Sequence, residues 1–199
     1  MVKKGQFDAL AKYYDFFTKI LMMGTYGRAR RKIVSSMERD GIALDLCCGT
    51  GYVTGHIHAN KVVGLDLSTG MLGVNRDKNL GRGDIFLING DAYKLPFKDD
   101  SFSSVYCTLS AHEFMNFVPI LEESHRVLKE GGSLVLYDMC KPSNPLLKPF
   151  TIFVKYVVEM GKFYIYTEGE WKEKLEKLAF RDITTEVLYH ASILVKARK

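Results

Sequence analysis

Short apolar runs bounded by glycines alternate along the chain with segments of helical pattern. Residues 7–37 read as one or two helices, with a break near Gly24 to Gly27. Ile42 to Leu46 (IALDL) is a short apolar run closed by glycines, the mark of a buried strand. Residues 51–58 then look helical. Lys61 to Asp66 (KVVGLD) predicts a second strand, and Ser68 is placed to cap a helix running to about Leu80. Ile85 to Ile88 and Ser103 to Leu109 predict the third and fourth strands. Pro119 suits the first turn of a helix that ends before Gly131-Gly132, and Ser133 to Met139 follows as a fifth strand. Helical pattern returns over 146–160 and 169–178, and two β-rich runs, 183–189 and 191–197, can pair as a hairpin.

Strands alternating with helices imply a parallel sheet covered on both faces. Right-handed crossovers make that sheet doubly wound. The expectation is an α/β fold of about seven strands, mostly parallel, with an antiparallel C-terminal strand. Ligands of such sheets sit beyond the carboxyl ends of the strands, at the switch point.

Composition narrows the class without naming a chemistry. The 199 residues suit one domain, with 47% hydrophobic and 26% charged residues and a net charge of +5. Disorder, collagen and a disulfide framework are excluded. The four cysteines, Cys47, Cys48, Cys107 and Cys140, contain no CxxC pair, so zinc spacings are absent and no metal site is expected. They read as reduced, buried thiols of a cytoplasmic protein. The N-terminal segment lacks a signal peptide's apolar core, and no stretch approaches the ~18 apolar residues of a membrane span.

The chemistry begins at Asp45-Leu46-Cys47-Cys48-Gly49-Thr50-Gly51, which leaves a strand and opens a helix. Gly49 and Gly51 allow a tight turn and close approach of a ligand. A P-loop needs a Lys-Ser/Thr pair that does not follow here. A dinucleotide loop needs GxGxxG, but the third position is Thr54 and the next glycine, Gly55, comes one place late. Asp45 would repel a pyrophosphate and suits a cationic ligand with an ammonium group. S-adenosylmethionine has an amino-acid end, a sulfonium and no phosphate. Asp66 ends the second strand, 21 residues after Asp45, where an acid can take both ribose hydroxyls. Asp91 follows the third strand and can accept from the exocyclic amine of adenine.

With those residues in place the chain resembles the class I S-adenosylmethionine-dependent methyltransferases. The resemblance rests on ALDLCCGTG (43–51), VVGLDLSTGML (62–72), NGDAYKLPFKDDSFSSVY (89–106) and RVLKEGGSLVLYD (126–138), and it covers nearly the whole chain. The chain is most similar to the ubiquinone/menaquinone C-methyltransferase-like group, through FDALAKYYDFF near the start and KPSNPLLKPF at 141–150. The resemblance implies a Rossmann-like sheet, a single methyltransferase domain over 1–199, a helical cover over 1–37 and a helical insertion or lid over 140–180 near the substrate site. It implies that Asp45, Gly49, Thr50 and Gly51 hold the methionine part of the cofactor. Asp66, Leu67 and Met71 would frame ribose and adenine, Asp91 and Ala92 would flank the base, and Tyr14 would close over the cofactor. Cys47 stands where the group's loop usually has its first glycine, and Thr108, ending the fourth strand, completes the expected cofactor set. After that strand the quinone enzymes commonly carry an Arg-Asn pair. Here Ser110-Ala111-His112-Glu113 occupies the place, and the region between 160 and 180 is shortened.

Methyl transfer is an in-line displacement, so alignment and exclusion of water are the enzyme's main tasks. A phenol-like acceptor also benefits from a base, and His112, with Glu113 beside it, is the candidate for that role. His125 reads as structural, His56 and His58 as helix surface or packing, and His190 as turn chemistry. In residues 148–162, Lys148, Lys155, Glu159 and Lys162 form one stripe on an otherwise apolar helix. Packing against the domain, a lid over an apolar or lipid-like acceptor, and peripheral contact with a membrane surface each fit that stripe. Arg28, Arg30, Arg31 and Lys32 read as a solvated face, and Lys196, Arg198 and Lys199 as a frayed strand tip. Nucleic acid is not expected as a partner. The expected function is methyl transfer to a small quinone-, phenol- or lipid-like molecule, leaving S-adenosylhomocysteine. The alternatives are a non-catalytic S-adenosylmethionine-binding regulator and an RNA methyltransferase.

Overall fold

Five of the apolar runs lie side by side as parallel strands, because the connection between each pair is long enough to bring the chain back to the starting end of the sheet. The computed structural model describes residues 11, 13, 15, 16, 26–141, 149, 152, 164–188 and 192–199. Tyr14, Gly24, His190 and most of the expected 146–160 helix lie outside the described residues.

The strands are β1 (Ile42–Leu46), β2 (Lys61–Asp66), β3 (Ile85–Asn89), β4 (Phe102–Thr108), β5 (Leu128–Met139), β6 (Arg181–Leu188) and β7 (Ser192–Arg198). Their order is β3-β2-β1-β4-β5-β7-β6. Strands β1 to β5 pair in parallel, and β7 is antiparallel to both β5 and β6. The described helices are α1 (Tyr26–Ser35), α2 (Thr69–Lys78), α3 (Val118–Val127) and α4 (Glu168–Lys177).

Alternation along the strands divides the core between two faces. Leu44, Leu46, Val105, Leu134 and Leu136 point to one face, where Ile120 and Leu121 of α3 and Trp171 and Leu175 of α4 pack on them. Ala43, Tyr106, Val135 and Tyr137 point to the other, covered by Ala29 and Ile33 of α1. Trp171 is fully buried and packs edge-on against Phe117 and Tyr166, with ring centroids 5.9 and 5.1 Å away. Local chemistry starts the helices. The Ser68 hydroxyl accepts from Met71 N–H at 3.1 Å, and Thr167 and Glu170 form a reciprocal capping box at the start of α4. Pro119 stands in the first turn of α3, as expected.

Three segments depart from the sequence reading. Residues 51–58 hold one 3-10 turn, Thr54–His56, rather than a helix. Gly55 weakens helical order there, and the Thr54 hydroxyl is committed to Asp45. Strand β5 starts at Leu128, directly after α3, and runs through both glycines. Its register against β4 shifts between Phe102 and Ser104, and a Cβ on Gly132 would lie 2.8 Å from the Lys129 carbonyl. The C-terminus is tied down rather than frayed: Lys199 Nζ donates to Asp100 and to the Leu128 carbonyl, each at 2.8 Å. Among the described residues no helix is long and apolar enough to cross a membrane.

Candidate active site

Strand β1 has β2 on one side and β4 on the other, which makes its carboxyl end the switch point of the sheet. Leu46 pairs with Leu65 and with Cys107, so the residues after it emerge between the ends of both neighbours. Cys47, Gly49 and Gly51 all take positive φ, at 55°, 49° and 77°. Gly49 N–H donates to Asp66 Oδ2 at 2.8 Å, and Ser68 N–H donates to Asp66 Oδ1 at 2.8 Å. One carboxylate thus joins the glycine loop to the start of α2. The two glycines serve different ends. A Cβ at Gly49 would meet nothing within 4 Å, whereas one at Gly51 would lie 2.2 Å from Asn75 Oδ1.

Beyond the loop lies an open cleft of about 1010 Å3, part of it continuous with solvent. Of the residues singled out from sequence, Cys47, Gly49, Thr50, Asp66, Leu67, Met71, Asp91, Ala92, Thr108 and Glu113 line it. Asp45, Gly51 and His112 do not, and Tyr14 is outside the described residues. The described lining includes the carboxylates Asp15, Asp66, Asp91 and Glu113, and no Lys, Arg or His. Apolar side chains (Leu65, Met71, Phe114) complete the walls. Such a wall repels phosphates and favours a ligand carrying positive charge.

Asp45 lies beneath the loop, 1% exposed, and accepts from the Thr54 hydroxyl at 2.5 Å. Burial pushes its carboxyl up to about 7; the Thr54 hydrogen bond opposes that rise and the nearby Asp66 charge adds to it. The Cys47 thiol is held well above its ordinary value by its hydrogen bond with Cys107, by burial and by the charges of Asp66 and Glu113. Burial does the same to Cys48. These thiols are therefore neutral lining and packing groups, and all four cysteines are free.

At the other end of the cleft, Ser110 and Glu113 reach the lining and His112 lies behind them. His112 Nδ1 is 2.5 Å from Asp138 Oδ1, and both groups are buried. Asp138 Oδ2 also accepts from Ser110 N–H at 3.1 Å and His112 N–H at 3.2 Å. A single acid from β5 therefore shapes the turn after β4 and orients the imidazole in it. The other histidines serve elsewhere: His125 stands edge-on to Phe180 at 4.9 Å, and His56 bonds the Tyr52 carbonyl. Among the described residues no group of three or more His, Cys, Asp or Glu side chains could hold a metal ion.

A sequence model of the ubiE/COQ5 methyltransferase family matches residues 2–177. The chain belongs to that family. The demethylmenaquinone methyltransferases of Staphylococcus epidermidis and Staphylococcus aureus are each 31% identical over 175 residues, 83% of this chain and 73% of theirs. A candidate methyltransferase from Bacillus halodurans superposes with a TM-score of 0.73 at 25% identity, covering 85% of this chain and 98% of that one. Phosphoethanolamine N-methyltransferase 2 of Haemonchus contortus, solved with S-adenosylmethionine, shares the fold at 18% identity and TM-score 0.72, over 88% of this chain and 52% of its own. This ubiE/COQ5-type chain is an S-adenosylmethionine-dependent methyltransferase. Its cleft suits that cofactor, which carries a sulfonium and an ammonium and no phosphate.

Several residues of this methyltransferase escaped the sequence reading. Asp15 lines the cleft and accepts from the Thr50 hydroxyl at 2.5 Å, with Lys78 paired to its other oxygen. Asp138 is a fourth acid near the carboxyl end of a strand, the signal that picked out Asp45, Asp66 and Asp91. Asn75 sits fully buried inside α2, and an asparagine in a helix interior is itself a local anomaly.

Proposed function

We propose that this chain methylates a quinone- or phenol-like small molecule with apolar character. The observation that carries the reading is the cleft at the switch point, lined by four carboxylates and by no described cation. The names of its Staphylococcus relatives favour a quinol-type acceptor. The bound cofactor supplies an electrophilic methyl group on its sulfonium. The glycine loop, with Gly49, Thr50 and Gly51, takes the methionine end, and Asp45 beneath the loop adds negative charge under the ammonium. Asp66 takes the ribose hydroxyls, Leu67 and Met71 pack the nucleoside, and Asp91 and Ala92 flank adenine. Cys47 and Thr108 line the path towards the acceptor. Glu113, at the cleft wall, receives the acceptor's proton, and His112, in a tautomer set by Asp138, stands behind it in the same turn. Tyr164, whose N–H donates to the His112 carbonyl at 2.7 Å, ties the described part of the expected 140–180 cover to the turn after β4.

Calorimetric titration with S-adenosylhomocysteine tests the cofactor half of this reading. The unaltered protein binds it, and Asp66→Ala weakens binding by roughly 10- to 100-fold, the cost of hydrogen bonds to a charged group. A methyl-transfer screen against quinols, phenols and lipid amines tests the acceptor half. Turnover confined to lipid amines, or none with any acceptor, refutes it.

A further inference from the structure

Helix α2 sends one side chain underneath the glycine loop. Asn75 Nδ2 donates to Thr54 Oγ1 at 3.1 Å and approaches the Gly49 carbonyl and Cys48 Sγ at 3.4 Å each. Its Oδ1 accepts from Asn79 Nδ2 at 2.8 Å, which fixes the amide with its nitrogen towards the loop. Because Thr54 Oγ1 accepts from Asn75, its single proton is free to go to Asp45 Oδ2, 2.5 Å away. The chain of bonds Asn79–Asn75–Thr54–Asp45 therefore has one direction, and it ends on the carboxylate. Asn75 is completely buried, and Gly51 exists as glycine because any Cβ there would strike its amide.

We infer that Asn75 is a positioning residue for cofactor binding: through Thr54 it favours the ionised form of Asp45 beneath the loop. This inference rests on the reading above that the loop and Asp45 take the cationic methionine end. Among the described residues, the groups facing Asp45 leave the Thr54 hydroxyl as its support. Asp66 from β2 opposes ionisation by its charge, and the Cys48 thiol in the loop and the Tyr106 phenol on β4 are themselves neutral near pH 7. Gly64, the register partner of Asp45 on β2, brings no side chain. Without the Asn75 donor the Thr54 hydroxyl can turn or accept, and the buried carboxyl then favours its protonated form. The cofactor loses a charge partner at neutral pH and regains it in alkali.

The test is calorimetric titration of S-adenosylhomocysteine into the unaltered protein, Asn75→Ala, Thr54→Val and the double variant, at pH 6 and pH 9. The ligand's own titration is common to all four proteins and cancels in the ratios. If losing the relay raises the Asp45 ionisation by one pKa unit, Asn75→Ala binds about tenfold more weakly at pH 6 and almost equally at pH 9. Thr54→Val shows the same recovery in alkali, and the double variant is no weaker than the worse single one. A loss of equal size at both pH values, or additive losses, overturns the relay and leaves Asn75 a packing residue. Circular dichroism checks folding, and if Asn75→Ala does not fold, Thr54→Val in the same titration decides. Failure of the unaltered protein to bind instead overturns the cofactor reading, so the two failures are distinct.

Discussion

Asp45→Asn removes a charge from beneath the loop while keeping an oxygen that can accept from Thr54. In the unfolded chain this carboxyl ionises near 3.8, and in the folded protein near 7, so about three pKa units separate the states. The folded state binds the proton more tightly, so the group's contribution to stability is complete below pH 4 and is lost as pH rises through 7. The full loss is on the order of 4 kcal/mol at pH 8 and less than half of that at pH 5. Asparagine does not titrate. The stability of Asp45→Asn relative to the unaltered protein therefore grows by roughly 2–3 kcal/mol between pH 5 and pH 8. Urea denaturation of both proteins at the two pH values measures this, because every other titrating group cancels in the difference. The same variant binds S-adenosylhomocysteine more weakly at pH 8, since the ammonium has lost its charge partner. A stability difference that is the same at pH 5 and pH 8 refutes the argument. A stabilised variant with impaired binding is the signature of a group held in place for function.

Gly51→Ala forces a methyl group to within 2.2 Å of Asn75 Oδ1 at φ +77°, and a left-handed non-glycine residue alone costs about 1–2 kcal/mol. Displacing the buried amide adds about 1–3 kcal/mol, so urea denaturation shows a loss of about 2–5 kcal/mol in stability; an unchanged stability contradicts the clash. Asp138→Asn deprives His112 Nδ1 of its charged partner at 2.5 Å. Turnover falls by about a hundredfold because the turn that carries His112 and Glu113 loses its anchor, whereas S-adenosylhomocysteine affinity holds because that turn stands apart from the glycine loop; loss of affinity with normal turnover would reverse these roles. Trp171→Ala empties the centre of the α4 packing, for a loss of about 3–5 kcal/mol and a melting point lower on the order of 10 °C. A shift of only a degree or two in thermal melting would place the stabilising core elsewhere.

Much of this protein can be read locally. IALDL, KVVGLD and SSVYCTL become strands because an apolar run of that length, closed by turn residues, can be buried only in a sheet. The glycine loop and the acids after successive strands are legible for the same reason, since strand ends converge on one edge of a parallel sheet. What those signals cannot carry is the direction of a side chain and its company. Asp45 and Asp66 look alike as strand-end acids, yet Asp66 reaches the cleft. Asp45 pairs between Gly64 and Tyr106 and is closed off by Thr54. Asn75 meets a loop 26 residues away, Asp138 meets a histidine 26 residues away, and Asp15 meets Thr50 across 35 residues. Periodicity acts over a few residues and so determined the elements, the fold class and the edge where chemistry occurs. Strand order and the packing of α2 and β5 against that edge act over tens of residues. They alone decided which acid is buried, which is open to ligand, and which side chains hold them there.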